Sequence, residues 1–267
     1  MKFFNKAKRN SSPRPPRPLE AALIAAAFIF VTAVPPLAAE PDFSRMLEEI
    51  DELGNFDDRD FSCVYTMVSE KPGEDVSLTQ VRLFRRDSQD QFLLLILKPE
   101  AQRGQGYLQI DEVVWFYDPE SRKFEKSTLK ETIQDSDTQN SDLDRSALSE
   151  DYDVVDWSEG TLGSFEVYIL DLEANTTEVS YDKLKLWVRK DVPLILKEED
   201  YSVNARLMRT IFFPNYVTVA GRYLPSKALI IDELNPGERT QITMRDTTVA
   251  DIPDYVFTKA YLERVNE

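Results

Sequence analysis

Short extended segments at regular spacing are the feature that most constrains the fold of this chain. Apolar and polar side chains alternate with a period of two, as Leu184, Leu186 and Val188 do against their neighbours. Turn signals such as Asp118-Pro119 and Ala220-Gly221 separate several of the segments. The pattern predicts a mainly β fold with one large antiparallel sheet, curled or barrel-like. After a first strand that begins at Phe61, the predicted strands cover residues 76–86, 92–97, 107–110, 113–117, 123–129, 165–172, 181–189, 194–201, 206–213, 223–231 and 240–247.

Residues 92–97 depart from this alternation because all six are apolar. A strand of this kind has both faces covered, by protein or by something else apolar. The stretch 98–119 that follows is also apolar and aromatic, although the chain carries a formal net charge of −16. The predicted sheet is therefore richer in large apolar side chains than one small covering helix would require.

If the sheet curls, its concave face could leave an apolar cavity that fits acyl chains. The candidate lining residues for such a lipid-binding cavity are Met67, Leu94, Ile96, Leu108, Trp115, Tyr117, Leu186 and Met208. The alternative is that each of them is an ordinary core residue packed against helices. Only the set as a whole supports the cavity.

One helix is predicted at the start of this domain. Phe43, Leu47 and Ile50 follow helical spacing, while acidic residues occupy the opposite face. Asp42 suits the N-cap position, and Gly54-Asn55 supplies a stop signal.

The N-terminus has the composition of a secretory signal. Six basic residues precede an uncharged run over residues 21–34, which is shorter than the ~20 residues that span a bilayer as a helix. The small residues Ala38 and Ala39 follow it, so we expect cleavage after Ala39. This divides the chain into a signal peptide, residues 1–39, and a single exported domain, residues 40–267. An uncleaved inner-membrane anchor is the alternative.

Composition excludes most catalytic chemistry. The chain has no histidine, which removes histidine-based triads, histidine general bases and the usual zinc sites. Its one cysteine, Cys63, lies in an alternating segment and is predicted to be a small buried hydrophobe. Neither a phosphate-binding loop nor a dinucleotide fingerprint is present. We therefore expect no enzymatic activity, no cofactor and, given the acidic balance, no nucleic-acid partner.

Residues 131–151 form a polar, acidic interruption, predicted to be a mobile loop or a lid. The offsets of Asp142, Asp144 and Glu150 loosely resemble a calcium loop. Ala147 stands where such a loop needs glycine, and Asp153 stands where it needs glutamate. A solvated acidic connection without metal is the preferred interpretation.

A succession of short motifs resembles the outer-membrane lipoprotein-sorting protein family, whose members are relatives of the periplasmic carrier LolA. The likeness covers roughly residues 42–260. Its motifs, in chain order, are Lys98-Pro99, Gly104-Gln105-Gly106-Tyr107-Leu108, Val114-Trp115-Phe116-Tyr117-Asp118-Pro119, Ser136-Asp137, Ser141-Asp142-Leu143, the segment 181–189, the run 194–201 and Gly221-Arg222-Tyr223-Leu224-Pro225.

The resemblance implies an incomplete antiparallel β-barrel with capping helices and a hydrophobic cavity that receives lipid acyl chains. The expected protein is a monomeric periplasmic carrier of lipoproteins or phospholipids, which transfers them towards the outer membrane. An inner-membrane lipoprotein-releasing transporter is a candidate donor. The alternative, from another class, is a periplasmic envelope-stress sensing or scaffold domain that binds a protein partner.

Overall fold

The strands of this protein form two antiparallel meanders that meet at β1 and β13. The computed structural model describes residues 41–110 and 113–265, and all thirteen strands within them belong to one sheet. The strands are β1 (Phe61–Glu70), β2 (Ser77–Arg86), β3 (Gln91–Lys98), β4 (Gly106–Ile110), β5 (Val113–Asp118), β6 (Lys123–Ser127), β7 (Tyr152–Leu162), β8 (Phe165–Ala174), β9 (Lys183–Arg189), β10 (Ile195–Tyr201), β11 (Leu207–Val219), β12 (Arg222–Asp232) and β13 (Arg239–Val249).

The order of strands leaves the curled sheet open. It runs β6-β5-β4-β3-β2-β1-β13-β12-β11-β10-β9-β8-β7, and among the described strands β6 and β7 do not pair with each other. These two edge strands are consecutive in the chain, so residues 128–151 must pass from one edge of the sheet to the other. The predicted fold class, a curled antiparallel sheet forming an incomplete barrel, is confirmed.

Three α-helices lie within the described residues: α1 (Phe43–Gly54), α2 (Leu148–Asp151) and α3 (Lys259–Arg264). As predicted, Asp42 caps α1, and its Oδ1 accepts from the Arg45 amide at 3.0 Å. The buried face of α1 packs on strands β7 to β9, where the Phe43 ring lies 5.0 Å from the Trp157 ring. This helix therefore covers one end of the concave side of the sheet.

Helix α3 covers the opposite, convex side. Leu262 is fully buried in a cluster with Leu93 and Leu108. Gly106 permits this approach, since a Cβ on it would lie 2.6 Å from the Leu94 carbonyl oxygen and 2.8 Å from Leu262. The predicted double coverage of residues 92–97 is explained by α3 on one side and the main core on the other.

The predicted strands are found at nearly the predicted positions, but β7 was not predicted. A register shift between Val154 and Asp156 interrupts its pairing with β8 and breaks the alternation that sequence analysis relies on. Much of β7 is also exposed at the sheet edge, so its composition is acidic rather than apolar. Strand β11 likewise extends beyond its prediction, across two further register shifts.

The predicted signal peptide lies outside the described residues. Within residues 41–110 and 113–265, no helix combines the length and apolar character needed to cross a membrane.

Candidate functional site

Strand register defines one continuous concave face. Residues paired directly across neighbouring strands point to the same side of a sheet. Leu186 pairs with Glu198, and Glu198 pairs with Ile211. Ile211 in turn pairs with Ile230, which continues the face across β9 to β12. Through β13 the same face reaches β1, because Ile242 of β13 pairs with Met67.

A cavity of about 390 Å³ lies on this face. Helix α1 contributes Ile50 and Leu53 to its wall, and much of the remaining wall comes from β9 to β13 and from the segment that joins β6 to β7. Tyr65 of β1, Arg85 of β2 and Tyr152 of β7 also line it. Most of the lining is apolar. The apolar residues include Leu129, Leu143, Leu148, Val179, Leu184, Leu194, Ile195, Ile211, Phe213, Leu224, Ala228, Ile230 and Ile242.

The segment between β6 and α2, residues 128–147, is here called the cover segment. It was predicted to be a mobile, solvated loop or a lid, but it is folded against the concave face. Ile133 is fully buried and Leu143 nearly so, both in the main core. Its acidic residues are not simply solvated, because several of them bond to the sheet. Asp137 Oδ2, for example, accepts from the Thr240 hydroxyl at 2.8 Å.

Helix α1 holds the far end of the cover segment together with the beginning of α2. Asp51 accepts from the backbone amides of Leu148 at 3.0 Å and Ser149 at 2.8 Å, and from the Ser149 hydroxyl at 2.7 Å. Asn55 donates to the Ser146 carbonyl at 2.7 Å and accepts from its amide at 2.9 Å. Polar contacts rather than apolar packing therefore fasten this end.

A buried ionic network joins the cover segment to the sheet beside the cavity. Arg209 of β11 donates to both oxygens of Asp142, at 2.7 and 2.6 Å, and its Nε donates to Asp200 of β10. The guanidinium carbon also lies 4.8 Å from the centre of the Tyr181 ring. Since the Arg209 and Asp200 side chains are almost inaccessible, this network is shielded from competing water.

Glu198 adds a third carboxyl to this network, and it lines the cavity. Burial, and after it the neighbouring Asp200 carboxylate, raises the pKa of Glu198 well above its usual range. Asp200 Oδ1 is buried and has no N–H or hydroxyl donor among the described residues, and burial raises the pKa of Asp200 although Arg209 opposes that rise. The consistent arrangement is a neutral Glu198 that donates its proton to Asp200.

A second charged group lies at the other end of the cavity. Arg85 donates to the Asp144 carbonyl at 2.9 Å and to the Gly54 carbonyl at 3.0 Å, and it forms an ion pair with Asp87. Burial raises the pKa of the Asp144 carboxyl to about 6. The part of the cover segment beside the cavity, at Asp142 and Asp144, therefore depends on arginine contacts with the sheet.

Two of the three acids of the loosely calcium-like pattern, Asp142 and Glu150, already have arginine side chains as partners. Both oxygens of Asp142 accept from Arg209, and both oxygens of Glu150 accept from Arg145 at 3.0 and 2.8 Å. A different acidic group, Asp137, Asp232 and Glu238, has carboxylate oxygens within 4.8 Å of one another. In that group, Asp232 already accepts from the amides of Leu234 and Asn235.

Four of the eight residues predicted to line a cavity lie on the concave face. Met67, Leu94 and Ile96 belong to the main core cluster, and Leu186 belongs to the cluster under α1. They are fully buried and lie in the packed layer beside the cavity rather than among its lining residues. A lipid-binding role for them stays a prediction.

Three of the other four, Leu108, Trp115 and Tyr117, lie on the convex face, which differs from the prediction. Leu108 pairs with Leu93 and with Trp115, whereas Leu94 of the concave face pairs with Tyr107. Trp115 and Tyr117 do share one face, as expected. The Lys259 ammonium of α3 lies 3.0 Å from the Trp115 ring centre on that side. Met208 stands at a register shift between β10 and β11 and is not among the residues that line the cavity.

The sequence pattern did not indicate the polar residues of the site, chiefly Glu198, Arg209 and Tyr216. One signal was present, because Glu198 and Asp200 alternate within a predicted strand that opens with the apolar residues 194–196. Acids at positions that should be buried indicate a partner or an altered protonation state.

Comparison with known proteins supports the geometry. A family model described as uncharacterized protein-like matches residues 88–264, about two thirds of the chain. No curated protein matches the chain. Among solved structures, a LolA superfamily protein from Nitrosomonas europaea is 25% identical with a TM-score of 0.71, and the match covers 81% of this chain and 97% of that one.

Two further structures share the fold at lower identity. A DUF1329 family protein from Desulfovibrio piger is 21% identical over 82% of this chain and 97% of its own, with a TM-score of 0.73. A putative outer membrane lipoprotein-sorting protein domain from Vibrio parahaemolyticus is 18% identical over 83% of this chain and 98% of its own, with a TM-score of 0.72.

Proposed function

The chain belongs to the family whose model matches residues 88–264 and has the fold of the LolA superfamily, and on this basis we propose that it is a carrier of acyl chains. Its cargo is the acyl part of lipoproteins or phospholipids. The site of action is the periplasm, where the protein carries cargo towards the outer membrane as a monomer. An inner-membrane lipoprotein-releasing transporter is the proposed donor.

The observation that carries this proposal is an apolar cavity beneath a segment held largely by polar contacts. At about 390 Å³, the cavity falls in the roughly 300–1,000 Å³ range of small-molecule sites. Its walls come from α1, the cover segment and the sheet, so movement of the cover segment would open it without unfolding a strand. The lining of branched and aromatic side chains suits a hydrocarbon chain.

Hydrocarbon burial provides the driving force. Each CH₂ group removed from water contributes about 0.8 kcal/mol, so even a partly buried chain gains several kcal/mol before the cost of opening is subtracted. Release then depends on competition, because the cover segment in its closed position and the bound cargo would occupy the same space. An acceptor with higher affinity, or one that stabilises the open state, completes the transfer.

The acidic surface is compatible with this role. A net charge of −16 opposes adsorption to anionic lipid headgroups, so the protein would meet membranes through a receptor rather than by nonspecific binding. A partner with a basic docking patch would associate faster at low ionic strength.

Lipid extraction tests the proposal. We expect purified protein to contain lipid detectable by mass spectrometry, and delipidated protein to take up a fluorescent fatty acid. Ala228→Phe places a ring in the cavity wall and should weaken uptake. Lys227→Phe, at the neighbouring exposed position on the convex face, is the matched control and should not.

Circular dichroism establishes that both variants are folded. A folded wild-type protein that contains no lipid and takes up no probe contradicts the proposal. Capture of one regulatory protein by such a lipid-free chain would instead support the sensing or scaffold alternative.

A further inference from the structure

A second cavity adjoins the apolar cavity at the end of α1, and the two differ in charge. The second cavity also measures about 390 Å³. Its lining includes Asp58, Arg59, Ala220, Gly221 and Arg222. The apolar cavity, here called the acyl cavity, is lined nearby by Leu53 and Gly54 of α1 and by Tyr223 and Leu224 of β12. The lining of one cavity therefore continues into the lining of the other within a few residues on both sides.

Arg222 stands where the two cavities meet. It lies two residues from Leu224 in a stretch of β12 that pairs regularly with β11, so the two side chains point to the same side of the sheet. Its Nη1 donates to the Glu52 carbonyl in the last turn of α1 at 2.6 Å. Arg222 forms no ion pair with any other residue that the structure describes. The remaining N–H groups of its guanidinium are therefore available to a ligand.

Arg59 adds a second positive charge to this cavity. It is exposed and forms no ion pair within the described part of the chain. Arginines outnumber the single lining acid, Asp58, whereas acids outnumber arginines in the wall of the acyl cavity. Room is left at Gly221, because no heavy atom beyond its chain neighbours lies within 4 Å of the place a Cβ would take. In a chain with 48 acidic and 32 basic residues, this wall is locally positive.

Guanidinium groups at this place suit a lipid phosphate. The N–H donors of arginine match the oxygens of a phosphate, and such charge-assisted hydrogen bonds are about twice as strong as neutral ones. Two residues along a strand cover about 7 Å, so a phosphate at Arg222 lies roughly one glycerol unit away from the acyl cavity at Leu224. Mobile ions screen exposed charges beyond about 8 Å, so the acidic surface elsewhere opposes this contact only weakly. The two cavities together thus match a phosphate joined to an acyl chain through glycerol.

We infer that the second cavity binds the phosphate of a glycerophospholipid whose acyl chain occupies the acyl cavity. Arg222 and Arg59 donate to the phosphate oxygens. This inference deepens the proposed function and rests on it, because it chooses between the two classes of cargo. A phospholipid carries a phosphate next to its acyl chains, whereas the acylated end of a lipoprotein carries none.

A set of matched ligands separates the phosphate from the acyl chain. 1-Lauroylglycerol carries the chain and the glycerol, 1-lauroylglycerol 3-phosphate adds the phosphate, and glycerol 3-phosphate lacks the chain. Displacement of Nile red from the full chain gives an affinity for both acyl ligands at concentrations below micelle formation. Calorimetry measures the binding of glycerol 3-phosphate and of inorganic phosphate.

We expect the acyl phosphate to bind about tenfold more tightly than lauroylglycerol, the difference that one charge-assisted hydrogen bond makes. Arg59→Gln and Arg222→Gln should each reduce this ratio by about threefold or more and leave the affinity for lauroylglycerol unchanged. Arg206→Gln is the matched control, because it removes the same charge from an exposed arginine at the opposite end of β11. It should keep the wild-type ratio.

An acyl phosphate that binds no more tightly than lauroylglycerol overturns the inference and leaves the proposed function intact. Failure of both acyl ligands to displace Nile red overturns both. Binding of inorganic phosphate or glycerol 3-phosphate as tight as that of the acyl phosphate identifies a site for free phosphate and overturns the lipid assignment. If Arg222→Gln does not fold, Arg59→Gln still decides, and a ratio that the folded variants keep in full overturns the assignment to these arginines.

Discussion

The two halves of the concave face are built differently. Under β1 to β4 the face is filled, and Met67, Val81, Leu83, Leu94 and Ile96 are fully buried in the main core. Beside β9 to β12 it is hollow, and apolar side chains line a cavity next to an ionic network. The filled half gains dispersion contacts throughout. The hollow half lacks some of these contacts and leaves space for a ligand.

The attachment of the cover segment follows the same division. Over the filled half it is held by apolar side chains such as Ile133, and near the hollow half by Asp142, Asp51 and their partners. Hydrogen bonds and ion pairs can be exchanged for water or for a partner at less cost than a filled core can be opened. The hollow half is therefore where an opening motion should begin.

The largest expected effect comes from breaking the network at its centre. Arg209→Met leaves Asp142 and Asp200 buried without their cation, which should lower the free energy of unfolding by about 3–5 kcal/mol in urea titrations. Arg239→Met removes a pair with Glu70 in which the arginine is 55% exposed, and should cost at most about 1 kcal/mol. An equal loss of unfolding free energy in the two variants would show that burial of the network contributes little to stability.

The two halves should also differ in their response to truncation. Leu94→Ala, in the filled half, should destabilise the protein by about 2–5 kcal/mol because it leaves a cavity where there was none. Leu194→Ala, in the cavity wall, should cost less and should strengthen uptake of a bulky probe. Urea unfolding and probe titration measure both quantities, and an equal loss of stability at the two sites contradicts the distinction.

Stability should depend on pH through Asp144. Its pKa of about 6 in the folded protein exceeds the ordinary value of 3.8 that it regains on unfolding, so the folded state holds this proton more tightly. Its contribution to stability is therefore present below pH 4 and is lost as pH rises through about 6.

Asp144→Asn removes this dependence. The free energy of unfolding of the variant minus that of the wild type should increase by up to about 3 kcal/mol between pH 4 and pH 7. Asp57→Asn, at an exposed position, is the control and should give a flat difference. A flat difference for Asp144→Asn as well would mean that its carboxyl is solvated when the protein is folded.

The smallest effect concerns exchange of cargo. Asp51→Ala removes the contacts of α1 with Ser146, Leu148 and Ser149 and leaves only those of Asn55, so the far end of the cover segment is loosened and bound probe should dissociate about tenfold faster in stopped-flow measurements. Glu52→Ala, at the adjacent exposed position, should leave the dissociation rate unchanged. No change for Asp51→Ala would indicate that cargo leaves by another route.

Much of the fold could be predicted because local signals agree with it. Asp42 caps α1, the Ala220-Gly221 pair makes the turn between β11 and β12, and alternation locates most strands. Strand β7 could not be predicted, because a bulge after Val154 breaks the period and an exposed edge needs few apolar residues. The family resemblance predicted the incomplete barrel, which the alternation of side chains alone did not specify.

The site was predicted less well. Alternation shows that Leu94 and Ile96 share a face, but it cannot relate that face to Leu108 across the loop between β3 and β4. The register of that hairpin places Leu108 opposite Leu93, so the parity changes. A register shift at Met208 likewise breaks the alternation in β11, and Arg209 was left unrecognised.

Most strands, the first helix, the absence of histidine-based catalysis and the apolar excess of the sheet could be read from the amino-acid sequence, because they depend on composition and on neighbours a few residues apart. Which half of the concave face is hollow, and the position of Glu198 at the cavity beside Asp200 and Arg209, became visible only in the folded chain. Those outcomes depend on register between strands and on the path of the cover segment from β6 to β7. They arise from contacts between residues far apart in the chain, which local periodicity does not encode.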